Sequence, residues 1–434
     1  MMAETLIYGM AVFSVIIGLL AGGLWVAPAL IAGACLALYV LTSVPIGSLL
    51  ASSIWDASHH WPLTALPLFV WMGEILFRSR LSADLYRGLA PVLGRLPGGL
   101  LHVNVVGCGV MASITGSSAV TAATIGRMSL PELDRQGYDP RLAIGSLAGS
   151  GTLGLLIPPS IMMIIYGVLT QQSIARLFIA GLLPGLMLML LFSGYIAVRA
   201  MLSPEVAPCQ EERMPLLAQL GAMRRLGPVF ALMALVIGAI YGGIATPTEA
   251  ATLGVLGALG ISAAYRTLNW QNFRDSLGAA VRTSCMITFI LGSAAFLSVA
   301  LGFAGVPAAL SGAIADWDLS PYALLFVLTG LYLFLGCFLE GASMMVLTLP
   351  IVQPLVEAAG FDMIWFGIFL IICIEMAQIT PPVGMNLFVL QRMTGRSLPL
   401  IFRSSVPFFL LMLLGLVIIS LVPGIVLWPI GGKL

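Results

Sequence analysis

Two segments of the chain interrupt apolar stretches with paired prolines, a pattern that frees backbone oxygens to bind a cation. Residues 151–160 contain Pro158-Pro159, and residues 377–384 contain Pro381-Pro382. Proline removes a backbone donor and disrupts the surrounding helix, so each pair should leave several carbonyl groups without a helical partner. Inside an apolar layer such carbonyls are tolerated only where they line a cavity or bind something. A hard cation such as sodium is the natural partner for carbonyl and hydroxyl oxygens.

Two small polar clusters are predicted to face these breaks from the tips of helical hairpins. The apolar stretches 98–136 and 320–359 are each nearly twice as long as one membrane span and contain a polar cluster in the middle. Ser117 and Ser118 in the first cluster would complete one sodium site. Gly341 and Ser343 in the second would complete another. For any single residue among them, hydrogen bonding to the local backbone is the alternative role.

The composition indicates an integral membrane protein. Of 434 residues, 60% are hydrophobic and 9% are charged, against roughly 25% charged residues in a soluble domain. The net charge of +1 provides no basic surface for nucleic acid. The six cysteines are widely separated, which argues against disulfides or a zinc site. With neither H-E-x-x-H nor G-x-S-x-G and one histidine, His102, in a membrane segment, an enzyme is not expected and no residue is assigned as catalytic.

The span pattern predicts ten membrane crossings and two hairpins that return to the side they entered. With the N-terminus outside, this topology places every Lys and Arg inside except Arg176 and Lys433, as cytoplasmic loops require. Residues 81–96 and 268–281 have amphipathic spacing and are expected to lie along the inner surface as helices. The crossings are predicted to begin near Leu6, Val26, Leu63, Arg141, Leu177, Val229, Pro247, Thr283, Asp362 and Val406.

An internal repeat with an offset of 223 residues relates the two halves. Gly-Tyr-Asp at 137–139 precedes the first proline pair by 21 residues, and Gly-Phe-Asp at 360–362 precedes the second by the same distance. Five crossings lie between the predicted hairpins, so the two copies should be inverted. Inverted repeats with interrupted helices are typical of secondary transporters. The alternative, in which the proline pairs only kink two helices, is disfavoured because both copies keep the same register.

An anionic substrate would have to bind without a basic side chain, because the predicted spans carry no Lys or Arg at mid-depth. Helix N-termini and bound cations would supply the positive potential. Carboxylate binding should therefore require sodium, with Ser118, Ser160, Ser343 and Asn386 as candidate donors. Glu340 could also contact substrate. For both Glu340 and Glu375, a role in the binding site and a role in supporting the structure are equally favoured.

The motifs resemble those of the large membrane subunit of tripartite ATP-independent periplasmic (TRAP) transporters. In the first half these are Gly-Ser-Ser at 116–118, Leu-Pro-Glu at 130–132 and Leu-Ile-Pro-Pro-Ser at 156–160. In the second half, Thr-Pro-Thr-Glu-Ala-Ala at 246–251, Phe-Leu-Glu-Gly at 338–341 and Ile-Thr-Pro-Pro-Val-Gly-Met-Asn at 379–386 are similar to that family's signatures. The resemblance extends over essentially the whole chain.

The resemblance implies an all-α, elevator-type permease of the bacterial inner membrane, with periplasmic termini, that imports an organic acid with at least two sodium ions. No organic cofactor is implied. A periplasmic binding protein would deliver the substrate, and a small four-helix membrane subunit is expected as a separate chain because no such segment precedes residue 1. The cation ligands would be Ser117, Ser118, Gly154, Ile157 and Pro159 in the first half, and Gly341, Ser343, Ala377, Thr380 and Pro382 in the second.

This fold predicts alternating scaffold and transport segments. Scaffold spans and the first surface helix would occupy 1–97, the first transport half 98–176, further scaffold and the second surface helix 177–306, the second transport half 307–396, and a last scaffold span 397–434. A carrier of the same superfamily that works without a binding protein is the alternative. The cargo is not identified, since C4-dicarboxylates, keto acids and sugar acids such as sialic acid all fit.

Overall fold

The computed structural model describes residues 2–41, 44–79, 81–208, 224–306, 309, 312, 320–337, 339–381 and 384–431. Over these residues the chain is helical and contains no strand. The helices are α1 (Met2–Ala21), α2 (Val26–Leu41), α3 (Ile46–Ser58), α4 (Ala65–Phe77), α5 (Leu81–Leu93), α6 (Leu101–Thr115), α7 (Ser118–Arg135), α8 (Pro140–Thr152), α9 (Ile161–Leu169), α10 (Ile174–Leu202), α11 (Gly227–Tyr241), α12 (Pro247–Ala264), α13 (Trp270–Phe303), α14 (Pro321–Gly336), α15 (Gly341–Ala358), α16 (Met363–Gln378), α17 (Met385–Thr394), α18 (Leu398–Leu421) and α19 (Gly424–Leu427).

Several of these helices have the length and apolarity that a membrane requires. Among the described residues α10, α13, α15 and α18 are long and apolar enough to cross a membrane, and seven further apolar helices are shorter. The chain is thus an all-helical protein with helices that could span a bilayer. Ten crossings, re-entrant hairpins and the sidedness of the termini stay predictions.

The repeat predicted from the sequence reappears in the helix boundaries. Helices α7 and α15 begin 223 residues apart, and so do α8 and α16. At both α7–α8 and α15–α16 a left-handed glycine, Gly137 or Gly360, ends the first helix at φ +76° or +82°. The following aspartate then caps the second helix: Asp139 accepts from the Arg141 amide at 2.9 Å, and Asp362 accepts from the Ile364 amide at 2.8 Å. The Gly-aromatic-Asp motif is therefore a helix stop followed by a helix start.

Both predicted interruptions are visible in the described residues. Helix α8 ends at Thr152, continues as a 3-10 turn over Leu153–Leu155, and α9 begins at Ile161. In the second copy α16 ends at Gln378 and α17 begins at Met385. The proposed ligand Pro382 lies outside the described residues.

Two elements differ from the sequence prediction. Helix α3 was not expected, because serines and an aspartate dilute its apolar pattern. The second surface helix is not a separate element, since residues 268–281 lead into the 34-residue helix α13, which also contains the crossing predicted to begin near Thr283. No proline occurs between Trp270 and Phe303, so nothing in the sequence ends the helix between the two parts. The first surface helix is present as α5.

The helices form two packed groups. In one, α13 packs against α2, α3 and α4, while α12 packs against α4 and α11. In the other, the hairpin pairs α6–α7 and α14–α15 pack against the interrupted helices. Helices α10 and α18, which fall in the predicted scaffold segments, pack against α8 and α16. Which helices move together stays a prediction.

The crossing of α8 and α18 depends on glycine. A Cβ at Gly149 would lie 2.6 Å from Cβ of Phe408, a fully buried side chain. Changing Gly149 to alanine should destabilise the protein by about 1–3 kcal/mol through overpacking. The measurement is the Tm of the purified protein in detergent, which should fall by several degrees.

Gly330→Ala is the matched control, because a Cβ there would meet nothing within 4 Å. Alanine raises helix propensity at an open position, so this variant should keep or raise the Tm. Equal Tm values for the two variants would contradict the packing described for α8 and α18.

Candidate functional site

A cavity of about 190 Å³ lies where the two hairpin tips meet. The first tip contributes Thr115, Ser117 and Ser118, and the second contributes Glu340. Helices α4 and α13 of the other packed group close the opposite wall. The fold therefore brings residues of both repeats, far apart in sequence, to a single cavity. The polar side chains that line it are Glu74, Thr115, Ser117, Ser118, Thr283, Glu340 and Gln378.

The first tip touches the first helix break through backbone atoms. A Cβ at Gly154 would lie 2.8 Å from the carbonyl oxygen of Ser117 and from the amide nitrogen of Ser118. Gly116, at φ +57°, turns the chain between α6 and α7, and a Cβ there would lie 3.3 Å from the Pro159 oxygen. At Gly154 the approach requires a residue without a side chain, and at Gly116 the left-handed backbone favours glycine. Four of the five predicted ligands of the first site, Ser117, Ser118, Gly154 and Pro159, are thus close together.

Asn386 links the second repeat to this first tip. Its side-chain nitrogen donates to the hydroxyl oxygen of Ser118 at 2.6 Å, across 268 residues of sequence. The residue is fully buried, and its side-chain oxygen has no hydrogen-bond partner among the residues that the structure describes. A buried polar atom without a partner costs about 1–3 kcal/mol. An additional electropositive partner at the tip would remove that cost.

The second tip packs against both repeats. A Cβ at Gly341 would lie 2.6 Å from Ile374 of α16 and 3.3 Å from Met162 of α9. The Glu340 carboxylate caps α15, with the amide and hydroxyl of Ser343 each 3.4 Å from its Oε2. Glu340 thus stabilises the helix while also lining the cavity.

The remaining predicted residues have mainly local contacts. The Ser160 hydroxyl donates to the Leu155 carbonyl and accepts from the Met163 amide, so it caps α9. Ile157 packs against Gly185 of α10, where a Cβ would lie 2.9 Å from it. The Thr380 hydroxyl donates to the Met376 carbonyl at 2.7 Å, and its amide donates to the Ala377 carbonyl at 3.1 Å.

A family model for the DctM component of the tripartite ATP-independent periplasmic transporter matches residues 13–425. The chain belongs to this family, as a large permease subunit. It is 31% identical over 379 residues to the C4-dicarboxylate TRAP transporter large permease protein DctM of Pseudomonas aeruginosa, covering 87% of this chain and 88% of that protein. It is 32% identical over 359 residues to the ectoine/5-hydroxyectoine TRAP transporter large permease protein UehC of Ruegeria pomeroyi, covering 81% and 82%.

A solved structure shows the same fold. The YdaH transporter of Alcanivorax borkumensis matches this permease with a TM-score of 0.60 at 14% sequence identity, covering 85% of this chain and 86% of that one. At this level of identity the likeness concerns the arrangement of helices alone.

The electrostatics of the permease cavity come from helix ends and acidic groups. No Lys or Arg occurs among the described residues that line it, whereas Glu74 and Glu340 do. Helix α7 begins beside the cavity, and the side chain of its N-cap residue, Ser117, accepts no hydrogen bond from the described part of the helix. Helix α17 begins there with Met385, and its N-cap residue, Gly384, has no side chain to cap it. Amide groups at helix N-termini carry partial positive charge and attract anions.

Several cavity residues were not selected from the sequence. Gln378 is the last residue of α16, and its side chain lies beside the tip glycine Gly341. A glutamine shortly before a proline pair in an apolar segment is the signal that could have identified it. Glu74 forms an ion pair with Arg78 at 3.2 Å, as expected for an acidic and a basic residue four positions apart on a helix, and it also lines the cavity. Thr283 lies within α13 and also lines the cavity. A polar residue in a long apolar helix is the signal that could have identified it.

The contact at Gly154 can be tested by adding one methyl group. In Gly154→Ala the Cβ would meet backbone atoms of Ser117 and Ser118, which cannot move aside as a side chain can. We expect the tip to be displaced and uptake by the reconstituted permease to fall at least tenfold, with the protein still purifying as a folded species. The measurement is initial uptake rate per amount of folded permease.

Gly260→Ala in α12 is the control, since a Cβ there meets nothing within 4 Å. The second repeat has alanine at the equivalent position, Ala377, and accommodates it because Gly336 of α14 faces its methyl group. Wild-type uptake by Gly154→Ala would show that the close approach of tip and break is not needed.

Proposed function

We propose that this permease imports a small organic acid across the bacterial inner membrane in symport with sodium. A periplasmic binding protein would deliver the substrate, and a small membrane subunit would complete the transporter. Family membership supports the tripartite arrangement over a carrier that works without a binding protein. The relatives named for C4-dicarboxylates and for ectoines support a carboxylate-bearing cargo. The observation that carries the proposal is the cavity between the two tips, whose described lining offers helix N-termini and acidic side chains but no basic side chain.

Sodium is required in this scheme because the cavity is unfavourable for a carboxylate alone. Two unit charges 4 Å apart repel by ~4 kcal/mol at an effective dielectric constant of 20. Glu340 at one tip would therefore oppose an anionic cargo, whereas the charge of Glu74 on α4 is partly balanced by its ion pair with Arg78. A cation bound behind each tip reverses the local charge, and the uncapped N-termini of α7 and α17 add to it.

The first cation site has the better-supported ligand set. Its ligands would be the carbonyls of Ser117, Gly154, Ile157 and Pro159 with the Ser118 hydroxyl. The close contact at Gly154 brings the tip and the break together. The side-chain oxygen of Asn386, which has no partner among the described residues, would be a further ligand for the ion. We propose Asn386 as a member of this site as well as a contact to the cargo.

The second cation site would use the carbonyls of Gly341, Ala377, Thr380 and Pro382 with the Ser343 hydroxyl. Gly341 packs directly on α16, which supports its part of this set. The Ser343 hydroxyl donates to Glu340 at 3.4 Å, so its oxygen lone pairs could bind an ion at the same time. Because Glu340 also caps α15 through the Ser343 backbone amide, cation binding at Ser343 and the shape of this tip would be linked.

Transport would proceed by sliding the hairpins and interrupted helices against α4 and α13. These two helices contribute only one wall of the cavity, while the tips and breaks contribute the rest. Movement of the tips past that wall would expose the cargo first on one side of the membrane and then on the other.

Sodium dependence tests the proposal directly. The permease is reconstituted with its small subunit and binding protein, and the initial uptake of labelled dicarboxylates, keto acids and sugar acids is measured with an inward sodium gradient. Replacing sodium with choline should reduce uptake of the accepted cargo at least tenfold, because the anion then meets an acidic cavity. Equal uptake in choline and in sodium would refute sodium coupling, and uptake that needs no binding protein would refute the tripartite scheme.

A further inference from the structure

A second cavity, separate from the one at the tips, is lined by three arginines from three different helices. Its volume is about 440 Å³, and it lies between the start of α8, the last part of α10 and the start of α18. Arg141, Arg199 and Arg403 line it. All three are exposed, and none of their guanidinium groups forms an ion pair or hydrogen bond within the part of the chain that the structure describes.

The arginine cavity has a net positive charge. Among the residues that the structure describes, Asp139 is the one acidic lining residue, and its carboxylate oxygen already accepts a hydrogen bond from the Arg141 backbone amide at 2.9 Å. Helix α18 also begins at this cavity, and the Ser397 side chain makes no cap hydrogen bond there. Three guanidinium groups beside a helix N-terminus are suited to a phosphate, which arginine binds through paired hydrogen bonds.

Apolar side chains line another part of the cavity, together with Ser397, Ser404 and Tyr195. Leu142, Leu400, Pro407 and Phe408 contribute to it, and the ring of Tyr195 packs edge-on against Phe408 at a centroid distance of 5.4 Å. A cavity with charged groups on one part and aliphatic and aromatic groups on another matches an amphiphile better than a free inorganic ion.

The location also matches a lipid. Arg199 is in the last turn of α10 and Arg403 is in the second turn of α18, and both helices are long and apolar enough to cross a membrane. The cavity is therefore at the end of two candidate spans, where lipid headgroups lie. Basic pockets between membrane helices bind the headgroups of anionic phospholipids.

We propose that this cavity binds the phosphate headgroup of an anionic phospholipid, with an acyl chain against the partly exposed side chains of Leu400 and Pro407. Such a lipid would contact α8, the helix that leads directly into the first break. The proposal is independent of sodium coupling and of the identity of the cargo.

The test measures binding of short-chain phosphatidylglycerol and phosphatidylcholine to the purified permease by thermophoresis. Phosphatidylglycerol should bind at least tenfold more tightly than phosphatidylcholine. In the triple variant Arg141→Gln, Arg199→Gln, Arg403→Gln this preference should disappear. Asp139 still caps α8 in that variant, because it bonds to a backbone amide.

The control variant Arg127→Gln, Arg274→Gln, Arg282→Gln removes the same charge from exposed positions outside the cavity and should keep the preference. If the triple variant does not fold, Arg403→Gln alone replaces it and is expected to weaken phosphatidylglycerol binding several-fold.

Equal affinity for the two lipids, or loss of the preference in the control variant, would overturn the proposal. Displacement of the lipid by millimolar inorganic phosphate would identify a free-anion site instead. If the wild type shows no lipid preference and the triple variant no longer copurifies with the small subunit, the cavity contacts that subunit and the lipid proposal is wrong.

Discussion

The need to satisfy backbone polar groups inside an apolar layer governs the centre of this molecule. Both breaks are surrounded by groups that meet this need: the Ser160 hydroxyl donates to the Leu155 carbonyl, and the Cys337 thiol donates to the Pro381 carbonyl at 3.1 Å. The Thr380 hydroxyl donates to the Met376 carbonyl. Within the described part of the chain, the side-chain oxygen of Asn386 remains unsatisfied next to the first tip. Such an atom is expensive to bury, and under the proposed function a cation accounts for it.

The two repeats are interlocked. Asn386 of the second repeat bonds to the first tip, Met162 of the first repeat meets the second tip, and the Tyr166 hydroxyl donates to the Met363 carbonyl at 2.5 Å. Each hydrogen bond contributes about 1 kcal/mol. A few such links are enough for coupling of 1–3 kcal/mol between two binding sites. Occupation of one proposed cation site would therefore affect the shape of the other.

The parts of the fold that followed from sequence are those set by local signals. Glycine and aspartate at the α7–α8 and α15–α16 junctions fix a helix stop and a helix start wherever they occur, so the repeat and its register could be predicted. Helix α3 was missed because its polar residues conceal its pattern, and α13 was divided because its polarity changes along one continuous helix. The bond between Ser118 and Asn386 could not be predicted as a pair, since 268 residues separate them and only the folded chain brings them together.

The most direct test of the account is equilibrium binding of radioactive sodium to the purified permease. Asn386→Ala removes the amide that bonds to Ser118 and should weaken sodium binding at least tenfold. Asn104→Ala is the matched comparison, because Asn104 is also fully buried, also donates to a serine, Ser146 at 2.9 Å, and also has an unpartnered oxygen. It lies near the start of α6, about 18 Å along the helix from the tip, and its loss should leave sodium affinity unchanged. Equal sodium affinity in the wild type and both variants, or equal weakening in both variants, would contradict a cation site at the junction of tip and break.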